Sequence, residues 1–202
     1  MKTVNQVAVI DREKCNKCII CLRVCPVLAI KTMKEGKMTT VIIDDDTCQA
    51  CTICETCCPQ QAITMVPRKQ SFEVGIKVDS VTKQIEEICR SAHMYPDQVV
   101  CYCHRVEAKE IVAAILAGAN TPEEVSRKTG ARTGCGVLCI SGIIRLLRGA
   151  GLELSKAPGY QWYGIRASIW DIPPEVMKKY PQYYLEEDRK IIDKIFPGGD
   201  QK

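Results

Sequence analysis

The chain matches itself at an offset of 33 residues, and the strongest part of the match is cysteine. Cys15, Cys18, Cys21 and Cys25 recur as Cys48, Cys51, Cys54 and Cys58. Pro26 recurs as Pro59, Ala29-Ile30 as Ala62-Ile63, and Val9-Ile10-Asp11 as Ile42-Ile43-Asp44. Each unit reads as a short apolar strand, a cysteine loop, a proline-started turn or short helix, and a second short strand. A unit this small cannot bury its own apolar face, so two copies are expected to pack on one another. The pattern therefore predicts a pseudo-twofold domain over residues 1–70.

Both units carry the spacing C-x2-C-x2-C-x3-C-P. A tight loop can aim three sulfurs two residues apart at one face of a cubic iron–sulfur cluster. The fourth cysteine, before the proline, points away and serves the cluster of the other half. The predicted sets are Cys15, Cys18, Cys21 and Cys58 for one 4Fe-4S cluster, and Cys48, Cys51, Cys54 and Cys25 for the second. Crossed ligation of this kind staples the two halves together. Zinc sites more often show two separated cysteine pairs. Cys57 and Cys58 compete for one ligand position. Cys58 keeps the repeat offset and precedes Pro59, so it is read as the ligand and Cys57 as a small buried residue. Over this first third, the sequence resembles the bacterial-type two-cluster ferredoxins, including both prolines and the apolar residues after them. That resemblance implies a one-electron relay.

Composition agrees with a fold that leans on metal. Fourteen of 202 residues are cysteine, while only 11 are aromatic and two of those are Phe. The formal charge of +4 gives no electrostatic case for a nucleic-acid partner. No apolar run approaches the ~18 residues that a membrane span needs. The first ten residues lack the basic start and apolar stretch of a secretory signal. A cytoplasmic protein is expected, and there 14 cysteines are better read as metal ligands than as disulfides.

The middle of the chain carries a second cysteine group. Residues 71–95 read as a connector, with a strand-like piece at Phe72–Ile76 and a helix over 79–93 whose apolar face is Val81, Ile85, Ile88 and Cys89. Cys89 has no partner at ligand spacing and reads as a core residue. Residues 96–150 then hold Cys101 and Cys103, and later Cys135 and Cys139. Between the pairs lie two predicted helices. One runs near Glu107 to Ala117 with Ile111, Val112, Ile115 and Leu116 inward. The other opens at Thr121-Pro122-Glu123-Glu124, where Thr121 is the N-cap and Glu124 completes a capping box, and stops at Gly130. A third helix follows Cys139, burying Ile140, Ile143, Ile144 and Leu147 and ending at Gly149. The second cysteine pair thus lies at a helix start, where partial positive charge favours thiolates.

The order C-x-C … C-x3-C, with Thr133-Gly134-Cys135-Gly136, resembles the 2Fe-2S domains of the bacterioferritin-associated ferredoxin type. The family more often places two residues, or in some members four, between the last two cysteines; here there are three. The resemblance implies one 2Fe-2S cluster on Cys101, Cys103, Cys135 and Cys139, with structural zinc as the alternative. His104 could in principle replace a thiolate, but four cysteines already suffice. His93 reads as a surface or capping residue.

Residues 151–202 contain no cysteine and hold most of the aromatics, including Tyr160, Trp162, Tyr163, Trp170, Tyr180, Tyr183, Tyr184 and Phe196. Prolines at 158, 173, 174, 181 and 197 break this tail into short pieces, with one helix expected near Leu185 to Ile195. It either wraps over the cluster domains or docks on a larger subunit, since Trp and Tyr are favoured anchors. The fold class expected overall is α+β: a ferredoxin-like two-cluster domain, a small all-α 2Fe-2S domain and an irregular aromatic-rich tail.

These readings converge on electron transfer. The chain offers no Rossmann glycine fingerprint, no P-loop and no nucleophile–base constellation. Residues 1–66 carry eight Lys/Arg against seven Asp/Glu, a balance suited to a fixed position in a complex. The second resemblance implies a flavoprotein partner carrying FAD or FMN. The expectation is a non-catalytic subunit of a hetero-oligomeric oxidoreductase. The alternatives are an independent multi-cluster carrier and a metal- or cluster-handling protein that uses Cys57 and Cys89.

Overall fold

The computed structural model describes residues 1–35, 38–154, 163 and 168–196. It mixes helix and sheet. The first unit holds β1 (Lys2–Ile10), α1 (Ile20–Val24) and β2 (Ile30–Glu35). The second holds β3 (Met38–Ile43), α2 (Ile53–Thr56) and β4 (Ile63–Val74). The strand entering each unit pairs antiparallel with the strand leaving the other, β1 with β4 and β3 with β2. Ile10 faces Ile63 and Ile43 faces Ile30, so the two pairings are equivalent under the 33-residue offset.

The repeat extends to backbone detail. Left-handed conformations at Lys17, Ile19 and Leu28 recur at Ala50, Thr52 and Gln61. None of these is glycine, so each costs local energy that the surrounding loop must offset. Each proline starts a turn, as the sequence suggested, closed by Leu28 N–H to the Cys25 carbonyl and by Gln61 N–H to the Cys58 carbonyl; a short helix lies before it, among the cysteines. The core between the sheets is aliphatic (Val7, Leu22, Val27, Ile30, Val41 and Ile63) and is completed by the thiols of Cys25, Cys48 and Cys54.

The second body is helical, with α3 (Lys83–Ser91), β5 (Val99–Cys101), β6 (Val106–Glu107), α4 (Ala108–Leu116), α5 (Pro122–Thr129) and α6 (Ile140–Gly149). Its centre is Ile111, Val112, Ile143 and Leu147, all fully buried. The N-cap of α5 forms as expected: Thr121 Oγ1 accepts from the Glu124 N–H at 3.2 Å. Glu124 itself accepts from the Asn120 N–H, one residue ahead of the cap. Gly130 closes the helix in the left-handed conformation. Gly149 is a packing requirement, because a Cβ there would lie 2.8 Å from the Ile88 carbonyl oxygen.

Several expectations need correction. The strand-like piece expected in the connector is the end of β4, which runs on to Val74 against the start of β1. Its helix begins only at Lys83, where Thr82 caps it, which leaves Val81 outside the helix and exposed. That helix also belongs to the helical core, through Ile85 and Cys89. The body is not all-α, since the β5–β6 hairpin leads the chain into and out of its first cysteine pair. Leu116, at the end of α4, is exposed.

The described tail contains α7 (Pro174–Lys179) and α8 (Leu185–Ile195). It lies against the helical body. Trp170 stacks flat on His93 with centroids 3.9 Å apart, under the Arg145 guanidinium. Tyr95 donates to the Ile195 carbonyl. His93 is therefore a packing partner and not a plain surface residue. Ile191 and Ile195 on α8 are exposed, whereas Tyr163 is buried. Tyr160, Trp162, Pro158 and Pro197 fall outside the described residues. Among the described residues, no helix is long and apolar enough to cross a membrane.

The two bodies meet through residues of both cysteine units. Gln49 Nε2 donates to the Arg127 carbonyl at 2.8 Å, and Arg127 Nε donates to the Val27 carbonyl at 2.7 Å. Lys2 Nζ donates to the Gln49 carbonyl at 2.8 Å and to Thr133 Oγ1 at 3.0 Å.

Candidate metal centres

The first loop folds its cysteines around an apolar cavity. Cys15, Cys18, Cys21 and Cys58 line it together with Ile10, Val41 and Ile63. Burial pushes the Cys21 thiol up to about 11, against a hydrogen bond from the Leu22 N–H, and charge on Cys15, Cys18 and Cys58 would raise it further. Cys58, from the other unit, thus joins the first three. Its sulfur accepts the Ala62 N–H at 3.3 Å.

The second set is its counterpart. Burial raises the Cys54 thiol, and repulsion from Cys51, Cys25 and Cys48 adds to it. Burial also pushes Cys51 up to about 11; the Ile53 N–H and the Lys2 ammonium oppose the shift. Cys25 is raised by burial against three backbone N–H groups, and its sulfur accepts the Ala29 N–H at 3.3 Å. Thiols at Cys25, Cys51 and Cys54 that disfavour their own charge suit a cationic group that supplies the missing positive charge. The N–H groups aimed at sulfur match what an anionic cluster with its thiolates needs. Cys57 lies outside both sets. It is exposed and not buried as the sequence suggested, because its position directly follows the α2 turn.

The third set lies in the helical body. Cys101 ends β5, Cys103 follows in the turn, and Cys139 is the N-cap of α6. Cys101 and Cys139 are hydrogen-bonded to each other and both receive the Arg132 N–H; the shared bond draws the Cys101 thiol down and pushes that of Cys139 up. N–H groups of Leu138 and Val137 lower the Cys135 thiol, as expected for a thiolate against a ring of backbone donors. Cys103 Sγ accepts the Cys135 N–H at 3.4 Å. One pair is buried, Cys101 and Cys139, and the other is exposed. His104 engages Thr133 Oγ1 through Nε2 at 3.1 Å. Among the described residues, no three His, Cys, Asp or Glu side chains are gathered tightly enough to hold a single metal ion.

Gly134 makes the third set possible. A Cβ at this position would meet Cys103 Cβ at 2.5 Å and its sulfur at 2.9 Å. Gly134→Ala should therefore force Cys103 and Cys135 apart and abolish the visible absorption and metal content of this site alone. Retention of both in the purified variant would show that the close approach is dispensable.

The sequence missed two features of these sites. The contacts of Lys2 and Gln49 leave no trace in local pattern. The buried Glu123–Arg132 pair, at 2.8 Å, is hidden because Glu123 reads as a first-turn helix acid.

Comparison with known proteins agrees with the third site. Residues 99–148 match the family model of the BFD-like [2Fe-2S] binding domain. No curated protein and no solved structure matches the chain.

Proposed function

We propose that this chain is an iron–sulfur electron-transfer subunit that relays single electrons between a flavin-containing catalytic subunit and an external acceptor or donor. Its first 70 residues form a ferredoxin-like pseudo-twofold domain. Cys15, Cys18, Cys21 and Cys58 hold one 4Fe-4S cluster, and Cys25, Cys48, Cys51 and Cys54 hold the other. Cys101, Cys103, Cys135 and Cys139 hold a 2Fe-2S cluster. The observation that carries this reading is the gathering of twelve thiols into three sets of four, two of them crossed between the repeats. Each bound cluster supplies a site that takes up and releases one electron. The chain's own part is to hold the thiolates, to keep water from those that are buried, and to aim backbone N–H groups at sulfur.

A second reading, an independent carrier, draws support from the tail, which packs on the chain's own His93, Arg145 and Tyr95. The subunit reading draws support from Tyr180, Tyr183 and Tyr184, exposed on the same tail.

Anaerobic purification at native level decides between them. The subunit reading expects about ten irons per chain, with a flavoprotein in the same peak. A monomeric holoprotein free of flavoprotein supports the carrier. Eight irons and one zinc would place zinc at the third site. A colourless protein without iron overturns both readings.

A further inference from the structure

The three cysteine sets are not equally placed, and one side chain joins two of them. Lys2 Nζ bonds the carbonyl of Gln49, the residue after Cys48, and the hydroxyl of Thr133, two residues before Cys135. Two hydrogen bonds therefore link a loop of the second set to a loop of the third. Thr133 continues the link to His104, beside Cys103. Other contacts between the bodies fall on the same side: Gln49 and Val27 hold Arg127, and Gly136 accommodates the tip of Ile53, which lies between Cys51 and Cys54. The cavity of the first set, lined by Cys15, Cys18, Cys21 and Cys58, is built from the first 63 residues alone.

We infer that Lys2 is a positioning and tuning residue. It pins the Cys25, Cys48, Cys51 and Cys54 centre against the 2Fe-2S site and raises the reduction potential of that centre. This inference rests on the proposed cluster-binding function. The physical reason is that reduction adds negative charge. An ammonium held beside the Cys48 and Cys51 loop, partly out of water, stabilises the reduced form, and net charge near a cluster is among the factors that set its potential. Burial draws the Lys2 ammonium below the usual lysine range, and charge on Cys51 and Cys48 opposes that shift. Lys2 itself is not repeated, since position 35, one repeat later, is Glu.

The test is a redox titration of the anaerobic full-length holoprotein, followed by paramagnetic resonance, in Lys2→Met and Lys2→Arg. Lys2→Met should shift the potential of the four-iron centre on Cys25, Cys48, Cys51 and Cys54 (the inner centre) downward and leave that on Cys15, Cys18, Cys21 and Cys58 (the outer centre) unchanged, and Lys2→Arg should restore it. The inner signal is assigned by repeating the titration in a Cys58→Ser background, which removes the outer one. An unmoved inner potential, an equal shift of both four-iron centres, or an arginine variant as shifted as the methionine one would each overturn the inference. If Lys2→Met loses its iron, Thr133→Val decides. Freeing the ammonium from its anchor should lower the same potential with iron content intact, and an unchanged potential refutes the role. Absence of any four-iron signal in the unaltered protein would instead refute the proposed function itself.

Discussion

Under the proposed cluster-binding function, Cys58→Ser should remove one four-iron centre, whereas Cys57→Ser should leave the iron content as it is. The two neighbours differ by one position and by everything that surrounds their sulfurs. Cys58 lines the cavity with Cys15, Cys18 and Cys21 and receives the Ala62 N–H. Cys57 is exposed at the end of the α2 turn. Removing the Cys58 thiolate leaves three ligands in an apolar pocket, and the crossed staple between the repeats is cut. The expected loss is about four of ten irons per chain, together with one of two four-iron resonance signals. Iron analysis and spectroscopy of both variants read this directly. Equal loss from the two variants would mean that the register of the second repeat is wrong.

Glu123→Gln should lower stability by about 3–5 kcal/mol, the usual cost of leaving one buried partner of an ion pair uncompensated. Glu123 is fully buried, and its carboxylate holds Arg132 at 2.8 Å on one oxygen and the Tyr163 hydroxyl at 2.8 Å on the other. The amide keeps the shape and removes the charge, so the Arg132 guanidinium loses its counter-ion. The effect should reach the third metal site, because the Arg132 N–H serves Cys101 and Cys139. Denaturant unfolding of the holoprotein measures the cost, and a change below about 0.5 kcal/mol, typical of surface substitutions, would show that the pair is not structural. The double variant Glu123→Leu, Arg132→Met should recover much of the loss, since an apolar pair leaves no charge stranded.

Much of this architecture is legible in the residue order, for reasons that differ from element to element. The repeat could be read because cysteine spacing is a local constraint, and the strand pairing and backbone follow the same 33-residue offset. The bounds of α5 could be read because Thr121, Pro122 and Gly130 each act within a few residues of their own position. Leu116 was misplaced because helical periodicity alone does not tell which turn runs out into solvent. Cys57 was misread because a small thiol suits a core as well as a turn. The left-handed backbone at Lys17, Ile19 and Thr52 gives no warning either, since lysine, isoleucine and threonine do not favour it. The joint at Lys2 depends on partners 47 and 131 residues away, a distance at which sequence pattern is silent.

The two bodies owe their solidity to different substances. The helical one is filled with isoleucine, leucine and valine that the ribosome delivers complete. The front one has sulfur in its middle where another protein would have phenylalanine. Under the proposed function part of its filling is mineral, and iron starvation should leave the front half softer than it is in the iron-loaded protein.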